Sequence, residues 1–497
     1  MRSWFSISCI YSLVSLSLFS CTVSSSSSDS VYTLESSFSP SEWLEISSSW
    51  AKRNNGATVT GRPKTYKEKK RLAHDDEISS HSEGENDDSR VYTESEEDEE
   101  TVQEKRLRLT KEYIQEIENQ ERIRREEHDI DKSVIAHRLK EDLLEQSGRL
   151  RRTVADSYEK VDEALIRHLH CKDHKQPITC LTISPDCQSL FTASKDCTIV
   201  KWCLVDFKKV AAIKRVDKKT SSEVKGHKSV VQSLSISSDG KFLASGDLDN
   251  QIHIWDPMTM KWMHTFRGHR AGITGLVFRR GTHTLYSASM DRTVKIWNLD
   301  EMSYVETLLG HQDAITSIDA LNKERAITAG GRDNSLRVWK IPEESQLIFN
   351  GHQGSIDCVR LINEDHFVSC GDDGMLSLWG SQKKKPLCSV SGAHGVDASN
   401  NQAFWISSVA ALTNTDLIAS GSQDGFIRLW KCGDNFRTLT PLLSVPVCGF
   451  VNSLAFSSDG KMLIAGLGQE HRLGRWWRNG SAKNEIVIIP LKQRETS

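Results

Sequence analysis

The chain has 497 residues, 26% of them charged, and its formal net charge is −3 at pH 7. This near balance hides an asymmetry, because residues 1–170 carry 25 Lys+Arg against 34 Asp+Glu, whereas the remainder carries 39 against 33. A mildly basic body behind an acidic arm is compatible with nucleic acid but is weak support for it alone. The twelve cysteines include no CxxC pair, which excludes a cysteine metal motif and indicates a reducing compartment.

Residues 1–56 form an atypical N-terminal segment that resembles a secretory signal. An apolar stretch over 4–23 follows Arg2 and precedes a run of serines, as in signal peptides. Serines inside the stretch argue against a transmembrane helix. No disulfide pattern follows and Asn479 is the only glycosylation sequon. We therefore favour a segment outside the functional protein over a working secretory signal.

Residues 57–103 predict a disordered arm with a basic part and an acidic part. The tract over 75–100 is rich in Asp, Glu and Ser, and such tracts stay unfolded through self-repulsion. A basic cluster before it is either a nuclear import signal or a solvated charge run. Its members are Lys64, Lys67, Lys69, Lys70 and Arg71.

Residues 104–160 predict a charged helical segment. Leu109, Tyr113 and Ile117 recur at helical spacing among charged residues, and a second apolar set spans 135–143. No strict heptad is sustained, so we expect a helix docked on a partner or on the following domain rather than a coiled-coil dimer.

Residues 161–497 contain an internal repeat. In the regular copy, Gly226-His227 leads to Asp249 and, six residues later, to Trp255. Six copies follow this scheme, and successive tryptophans in the regular ones are 42, 42 and 40 residues apart. This period predicts an all-β fold, a seven-bladed β-propeller of the WD-repeat type.

Each unit predicts one four-stranded antiparallel sheet. In the regular copy the apolar stretches lie at 233–237, 242–245, 251–255 and 262–266, with a turn at 239–240. One such sheet cannot bury both faces, so it needs neighbours, which radial stacking of blades supplies.

The recurring polar residues predict a buried hydrogen-bond network in each blade, formed by the His, a Ser or Thr, the Asp and the Trp. In the copy of His311 the hydroxyl is out of step, because Thr328 lies five residues before Asp333 and Ala329 takes the usual place. The regular sets are His227, Ser245, Asp249 and Trp255; His269, Ser287, Asp291 and Trp297; His311, Asp333 and Trp339; and His352, Ser369, Asp373 and Trp379. Looser copies carry His174, Asp196 and Trp202, and His394, Asp424 and Trp430.

The seventh unit is degenerate. Residues 451–461 align with 231–241, and Glu470 precedes Trp476 by six residues, but no His precedes them. The strand that closes the ring comes either from 164–170 or from 485–491, and the sequence leaves both open.

The chain shows no constellation typical of an enzyme. Outside the repeats there is no Walker loop, zinc motif or G-x-S-x-G. The six His–Asp pairs recur at one spacing with a Trp, which favours a structural role over catalysis. We therefore expect a non-catalytic platform without cofactor, metal, membrane association or small-molecule substrate.

Two groups of cations are candidate RNA contacts. The first is a basic arc on the rim that holds the turns before each Asp, the alternative being scattered surface charge. The second lies in the connector from Trp202 to His227, which spans 25 residues where the next gaps are 14, 14 and 13, the alternative being an ordinary connector. The arc comprises Lys195, Lys228, Arg270, Arg292 and Arg332, and the connector group Lys208, Lys209, Lys214 and Arg215. Whether arc and connector share a face stays open.

Several runs resemble a known family. The run from Lys105 to Tyr113, the helix His137-Arg-Leu-Lys-Glu-Asp-Leu-Leu-Glu and the tail Gly468-Gln-Glu-His-Arg-Leu-Gly-Arg-Trp-Trp-Arg are similar to the WD-repeat protein of the U3 small nucleolar ribonucleoprotein. The resemblance covers roughly residues 105–491.

The resemblance implies a function for the platform. It implies a nucleolar protein that binds U3 small nucleolar RNA together with a kink-turn-binding protein and other small-subunit processome proteins. The same resemblance implies a role in pre-rRNA processing towards 18S rRNA. The alternative is a WD-repeat substrate receptor of a cullin ubiquitin ligase, or a general protein scaffold.

Overall fold

The computed structural model describes residues 108, 111–117, 119, 138–144, 150–158, 161–216, 225–397, 401–475 and 477–494. The signal-like segment, the import cluster and the acidic tract lie outside these residues, so the expectations for them stay predictions. Within the charged segment, residues 111–117 and 138–144 are helical, as the apolar spacing predicts. Among the described residues, no helix combines the length and apolar character needed to cross a bilayer.

The described residues form seven four-stranded antiparallel sheets, which are the blades of the predicted propeller. The first strand of the chain is β1 (Arg167–Leu169). Blades one to three comprise β2 (Ile178–Ile183), β3 (Ser189–Ser194), β4 (Ile199–Cys203) and β5 (Lys208–Ile213); β6 (Val231–Ile236), β7 (Leu243–Asp247), β8 (Gln251–Trp255) and β9 (Trp262–Arg267); and β10 (Ile273–Phe278), β11 (Thr284–Ser289), β12 (Thr293–Asn298) and β13 (Ser303–Leu309).

The remaining blades repeat this order. Blades four to six comprise β14 (Ile315–Asp319), β15 (Arg325–Gly330), β16 (Ser335–Lys340) and β17 (Ser345–Asn350); β18 (Ile356–Leu361), β19 (His366–Gly371), β20 (Leu376–Gly380) and β21 (Cys388–Val390); and β22 (Ile406–Ala411), β23 (Leu417–Ser422), β24 (Phe426–Cys432) and β25 (Leu439–Pro446). Blade seven contains β26 (Phe450–Phe456), β27 (Met462–Gly468) and β28 (Ile486–Pro490). Short 3-10 helices lie at Ala155–Ser157, Glu163–Leu165, Ile341–Glu343 and Asp434–Phe436.

Blade seven is closed by both candidate segments together. Its strand order is β26, β27, β28 and β1, so the terminal strand supplies the third place and the strand before His174 the fourth. The register pairs Arg167 with Ile488 and Leu169 with Ile486. Because one sheet joins the two ends of the repeat region, the ring is closed by backbone hydrogen bonds rather than by packing alone.

The hydrophobic core is divided among the contacts between neighbouring blades. Between blades two and three, for example, Ile252 and Phe266 pack with Ile273, Leu276 and Trp297, all of them buried. Such β-branched and aromatic residues suit two sheets packed face to face. Each blade therefore depends on its neighbours for stability, as the repeat predicts.

A β-bulge recurs in the first strand of all seven blades. First strands of adjacent blades contact one another around the ring, so they surround the central channel. A bulge re-aims one side chain, and five of the seven bulge residues donate a hydrogen bond to a backbone oxygen in the first strand of the next blade. These donors are Thr179 to Val231, Thr274 to Ile315, Thr316 to Ile356, Ser407 to Val451 and Asn452 to Ile178, at 2.5–3.0 Å. Gln232 and Asp357 hold the other two positions.

The predicted network inside the blades is confirmed in blade three. His269 Nδ1 lies 3.0 Å from Asp291 Oδ2 and its Nε2 lies 2.7 Å from Ser287 Oγ, which accepts from the Trp297 indole at 2.8 Å. The indole must donate and the carboxylate must accept, so the chain runs from Trp through Ser and His to Asp. Burial alone would raise the pKa of Asp291, but hydrogen bonds from His269, Thr293 and the Arg270 backbone outweigh it and hold this pKa well below its usual range. The sets at His352 and His394 have the same geometry.

The prediction for Asp249 in blade two is wrong. His227 Nδ1 bonds Asp247 at 2.9 Å instead, while its Nε2 reaches Ser245 at 2.6 Å. Asp247 ends the second strand at the place that Ser289 takes in blade three, so its buried carboxylate meets the imidazole before the turn begins. The other oxygen of Asp247 accepts from the Asp249 backbone N–H at 3.0 Å, and Asp249 itself is exposed.

Three other blades depart from the regular network. In blade four, Thr328 bonds His311 at 2.7 Å and Trp339 at 2.8 Å, so the out-of-step hydroxyl completes the set. The turn between β15 and Asp333 is one residue longer than in blade three, which accounts for the changed spacing. In blade one, His174 reaches Asp196 through Thr198 rather than directly. In blade seven, β28 holds the third place, so the Glu470 segment is not a blade strand. Trp476 lies outside the described residues.

Candidate nucleic-acid interface

One end of the propeller carries both sets of loops on which the basic arc was predicted. In blades one, three, four and five, the backbone N–H that follows the His donates to the Asp in the turn before the third strand; for example, Arg270 donates to Asp291 at 2.8 Å and Lys175 to Asp196 at 2.7 Å. Loop and turn are therefore tied together at one end of these blades. We call this end the Gly-His rim.

Arg270 and Arg292 meet in a groove of the Gly-His rim where blade three adjoins the loop entering blade four. The groove has a volume of about 520 Å³. Lys295 lies in it too, donating to Thr307 at 2.6 Å. Asp291 is the acid in its wall, and its oxygens are engaged by His269, Thr293 and the Arg270 backbone. The groove thus presents cations with their nearest carboxylate already bonded, an arrangement suited to phosphate oxygens.

The remaining residues of the arc differ in availability. Lys228 and Arg332 are exposed on the same rim. The Lys195 side chain is instead only 10% exposed, and its ammonium donates to the backbone oxygens of His471 at 2.5 Å and Gly474 at 3.2 Å, with Glu470 3.7 Å away. Burial lowers the pKa of Lys195, and Glu470 opposes that shift. Lys195 therefore holds a protein segment on the rim.

The connector divides between the rim and the outer edge of blade one. Lys214 and Arg215 follow β5 directly, and the Val216 backbone bonds His227 at 3.1 Å, which places them on the Gly-His rim. Lys208 and Lys209 begin β5 and pair with Cys203 and Trp202, roughly 15 Å along the strand from its rim end. The Lys209 ammonium forms an ion pair with Asp173, which raises the pKa of the lysine and lowers that of the carboxyl.

A segment from blade seven covers the mouth of the central channel on this rim. We call residues 470–474 the channel plug. Its Arg472 backbone N–H donates to Asn452 at 2.9 Å, its backbone oxygen accepts from Gln232 at 3.4 Å, and its guanidinium donates to the Asp357 backbone oxygen at 2.7 Å. Together with Lys195, these contacts join the plug to blades one, two, five and seven.

The plug engages the two bulge residues that make no bond to the next blade. Gln232 and Asp357 both bond Arg472 instead. The Asp357 carboxylate also accepts from the indole of Trp405, the residue just before β22 of blade six, and the Trp405 ring centre lies 4.0 Å from that of His471. Burial raises the pKa of Asp357 well above its usual value, and Arg472 opposes the shift. Trp405, at the start of blade six, thus meets the channel plug at the channel mouth.

Among the described residues, one group has the composition of a metal site. His227, Asp247 and His253 place ligand atoms within 4.8 Å of one another and are all buried. Both nitrogens of His227 already bond Asp247 and Ser245, and His253 Nδ1 bonds Thr265 at 2.7 Å. Because a metal would have to displace the bond that Asp247 makes to His227, the blade network accounts for this group.

Known proteins are similar to this chain along most of its length. Residues 165–203, 218–256, 260–298, 302–340, 343–380 and 397–431 match the sequence profile of the WD domain, G-beta repeat. The chain is 55% identical to U3 small nucleolar RNA-interacting protein 2 of Mus musculus over 401 residues, which are 80% of this chain and 84% of that protein. The chain belongs to this family.

Further members of the U3 small nucleolar RNA-interacting family and a solved propeller extend the likeness. U3 snoRNP-associated protein-like EMB2271 of Arabidopsis thaliana is 35% identical over 79% of this chain and 86% of its own length. The crystal structure of RRP9 WD40 repeats superposes with a TM-score of 0.65 at 54% identity, covering 67% of this chain and all of that one. The profile matches six repeats, and the blade formed by β26, β27, β28 and β1 is the seventh.

The family's characteristic tail has a structural place that sequence reasoning missed. The run from Gly468 to Arg478 is only a mark of resemblance in the sequence, whereas in the folded chain it supplies the channel plug. The sequence did contain a signal for the plug: when the first strands are aligned, Gln232 and Asp357 stand where the other blades have Thr, Ser or Asn.

Proposed function

We propose that this chain is a non-catalytic component of the U3 small nucleolar ribonucleoprotein that binds U3 small nucleolar RNA. It acts with a kink-turn-binding protein and other small-subunit processome proteins, and it supports pre-rRNA processing towards 18S rRNA in the nucleolus. The observation that carries the proposal is the 55% identity, over 84% of its length, to a protein named for interaction with this RNA.

The RNA contact that we propose is the Gly-His rim over blades one to four. Arg270 and Arg292 are its centre, because they share one groove whose carboxylate is already bonded. Lys228 and Arg332 extend the cationic surface, and Lys214 and Arg215 join it from the connector. Guanidinium groups in this arrangement bind phosphate oxygens with two parallel hydrogen bonds, which positions RNA without reading its sequence. Lys195 acts indirectly by holding the plug.

A pull-down tests the proposed function. The full chain, tagged at its C-terminus, is purified from nuclear extract, and the bound RNA is sequenced beside the bound proteins. We expect U3 RNA to be enriched over other small nucleolar RNAs, together with a kink-turn-binding protein. A cullin adaptor without RNA would instead support the ligase-receptor alternative and contradict the proposal. An unrelated WD-repeat propeller with the same tag controls for RNA that binds basic surfaces unspecifically.

A further inference from the structure

The segment that follows the channel plug presents an exposed tryptophan on the Gly-His rim. Trp477 is 49% exposed, although large aromatic side chains are usually well buried. Its indole packs edge-to-face with that of Trp405, with ring centres 6.3 Å apart. Trp405 is in turn fixed by Asp357 and His471. Part of the Trp477 indole is therefore held against the protein, and the rest of it is exposed to solvent.

The backbone under Trp477 is held by its own hydrogen bonds. Glu470 and Arg478 form an antiparallel bridge, and the Asn479 N–H donates to the Gln469 backbone oxygen at 2.8 Å. The Glu470 carboxylate also forms an ion pair with Arg475 at 3.1 Å. Because these contacts hold the described residues on both sides of Trp477, a ligand that binds there loses little free energy to ordering them.

The charge around Trp477 is positive. Residues 469–483 contain Arg472, Arg475, Arg478 and Lys483 against one acid, Glu470. The Arg475 side chain is 70% exposed, and Arg478 is exposed as well. Arg475 pairs with Glu470 through its Nε, and Arg478 donates to Gln469 at 3.1 Å through one terminal nitrogen. Both side chains stay exposed, so their other N–H groups can bind the phosphates that adjoin a base stacked on the indole.

A second exposed tryptophan, Trp262, differs from Trp477 because other side chains of the protein occupy its ring and its N–H. Trp262 is 36% exposed on the outer strand of blade two, but the Lys225 ammonium lies over its ring at 5.0 Å and its indole N–H donates to Thr265 at 2.9 Å. Its ring and its donor are thus engaged by the protein itself. Trp262 therefore serves as a matched control.

We propose that Trp477, flanked by Arg475 and Arg478, is a stacking platform for an unpaired nucleotide of the bound RNA. The inference rests on the proposed function and narrows the RNA that is contacted to an unpaired segment. A base can stack on a surface indole only when it lies outside an RNA helix. The excess of arginine over acid around the indole suits the phosphates that adjoin a stacked base.

The test measures the affinity of the full chain for transcribed U3 RNA at several salt concentrations. Trp477→Ala should weaken binding by about fivefold or more, since it removes one stacked base. The slope of log affinity against log salt should not change, because stacking releases no counterions. Trp477→Phe should retain most of the affinity and Trp262→Ala all of it. Arg475→Gln with Arg478→Gln should instead flatten the slope. Ultraviolet cross-linking of the wild-type complex should join RNA to Trp477.

The outcomes separate this inference from the proposed function. If wild-type protein binds U3 RNA and Trp477→Ala binds equally tightly without a cross-link at that position, the platform is wrong while the proposed function stands. If Trp477→Ala keeps its RNA affinity but loses a protein in the pull-down, the surface serves a protein partner and the inference is overturned. If wild-type protein binds no U3 RNA, the proposed function fails first and the platform with it.

Discussion

Replacing Asp247 by alanine is expected to lower the free energy of unfolding by about 3 kcal/mol. The Asp247 carboxylate is buried and accepts from the His227 imidazole, from the backbone N–H of Asp249 in the following turn and from that of Gln251 at the start of β8. Its removal leaves the ring nitrogen of His227 without an acceptor in the interior of blade two. Chemical denaturation of the full chain, followed by tryptophan fluorescence, measures the change.

Asp249→Ala is the matched control for this prediction. Asp249 is the acid that the repeat spacing selects, yet its side chain is exposed and only its backbone N–H bonds Asp247. We expect Asp249→Ala to change stability by no more than about 0.5 kcal/mol. Equal destabilisation by the two variants would contradict the assignment of Asp247 to the network. A weaker RNA affinity in the folded Asp247→Ala protein would contradict its purely structural role.

Arg472→Ala is expected to destabilise the propeller by about 2–3 kcal/mol and to loosen the channel plug. The guanidinium bonds the Asp357 backbone oxygen where a bulge leaves that group outside the strand pairing. The charge of Arg472 also lies close to the buried Asp357 carboxyl and opposes the rise of its pKa. Without the arginine, blade five loses its direct hydrogen bond to the plug.

Limited trypsin digestion together with thermal melting checks the prediction for Arg472. Cleavage after Arg475 or Arg478 should become faster in Arg472→Ala, because the plug is released, and the melting temperature should fall. Arg332→Ala removes an exposed arginine from the same rim and should change neither property. A variant that melts and is digested like the wild type would show that the plug contacts do not stabilise the ring.

The sequence predicted the blades because each strand pattern is local and repeats. Stretches such as 251–255 alternate apolar residues at the spacing of a strand, and the Gly-His and Trp positions mark where each blade begins and ends. Strand closure could not be chosen in advance, because β1 and β28 come from distant parts of the chain and both fit one sheet.

The candidate site was predicted less well, because it depends on contacts across the ring. Spacing alone placed Asp249 in the network, since nothing local shows that Asp247 ends the strand facing His227. The turn position of Lys195 predicted an ammonium that contacts RNA, yet this ammonium donates to the backbone of His471, 276 residues away in the sequence. The plug joins residues from four blades, and such proximity follows only from the closed ring.

The salt dependence of U3 RNA affinity tests the central claim most directly. Wild type, Arg270→Gln with Arg292→Gln, and Lys208→Gln with Lys209→Gln are compared as full chains that melt alike. We predict that the rim pair weakens binding and flattens the slope of log affinity against log salt by about 0.7 for each phosphate group that is no longer bound. The outer-strand pair should leave both quantities nearly unchanged, because Lys209 is already paired with Asp173. Unchanged affinity and slope in the rim pair would contradict the assignment of RNA binding to the Gly-His rim.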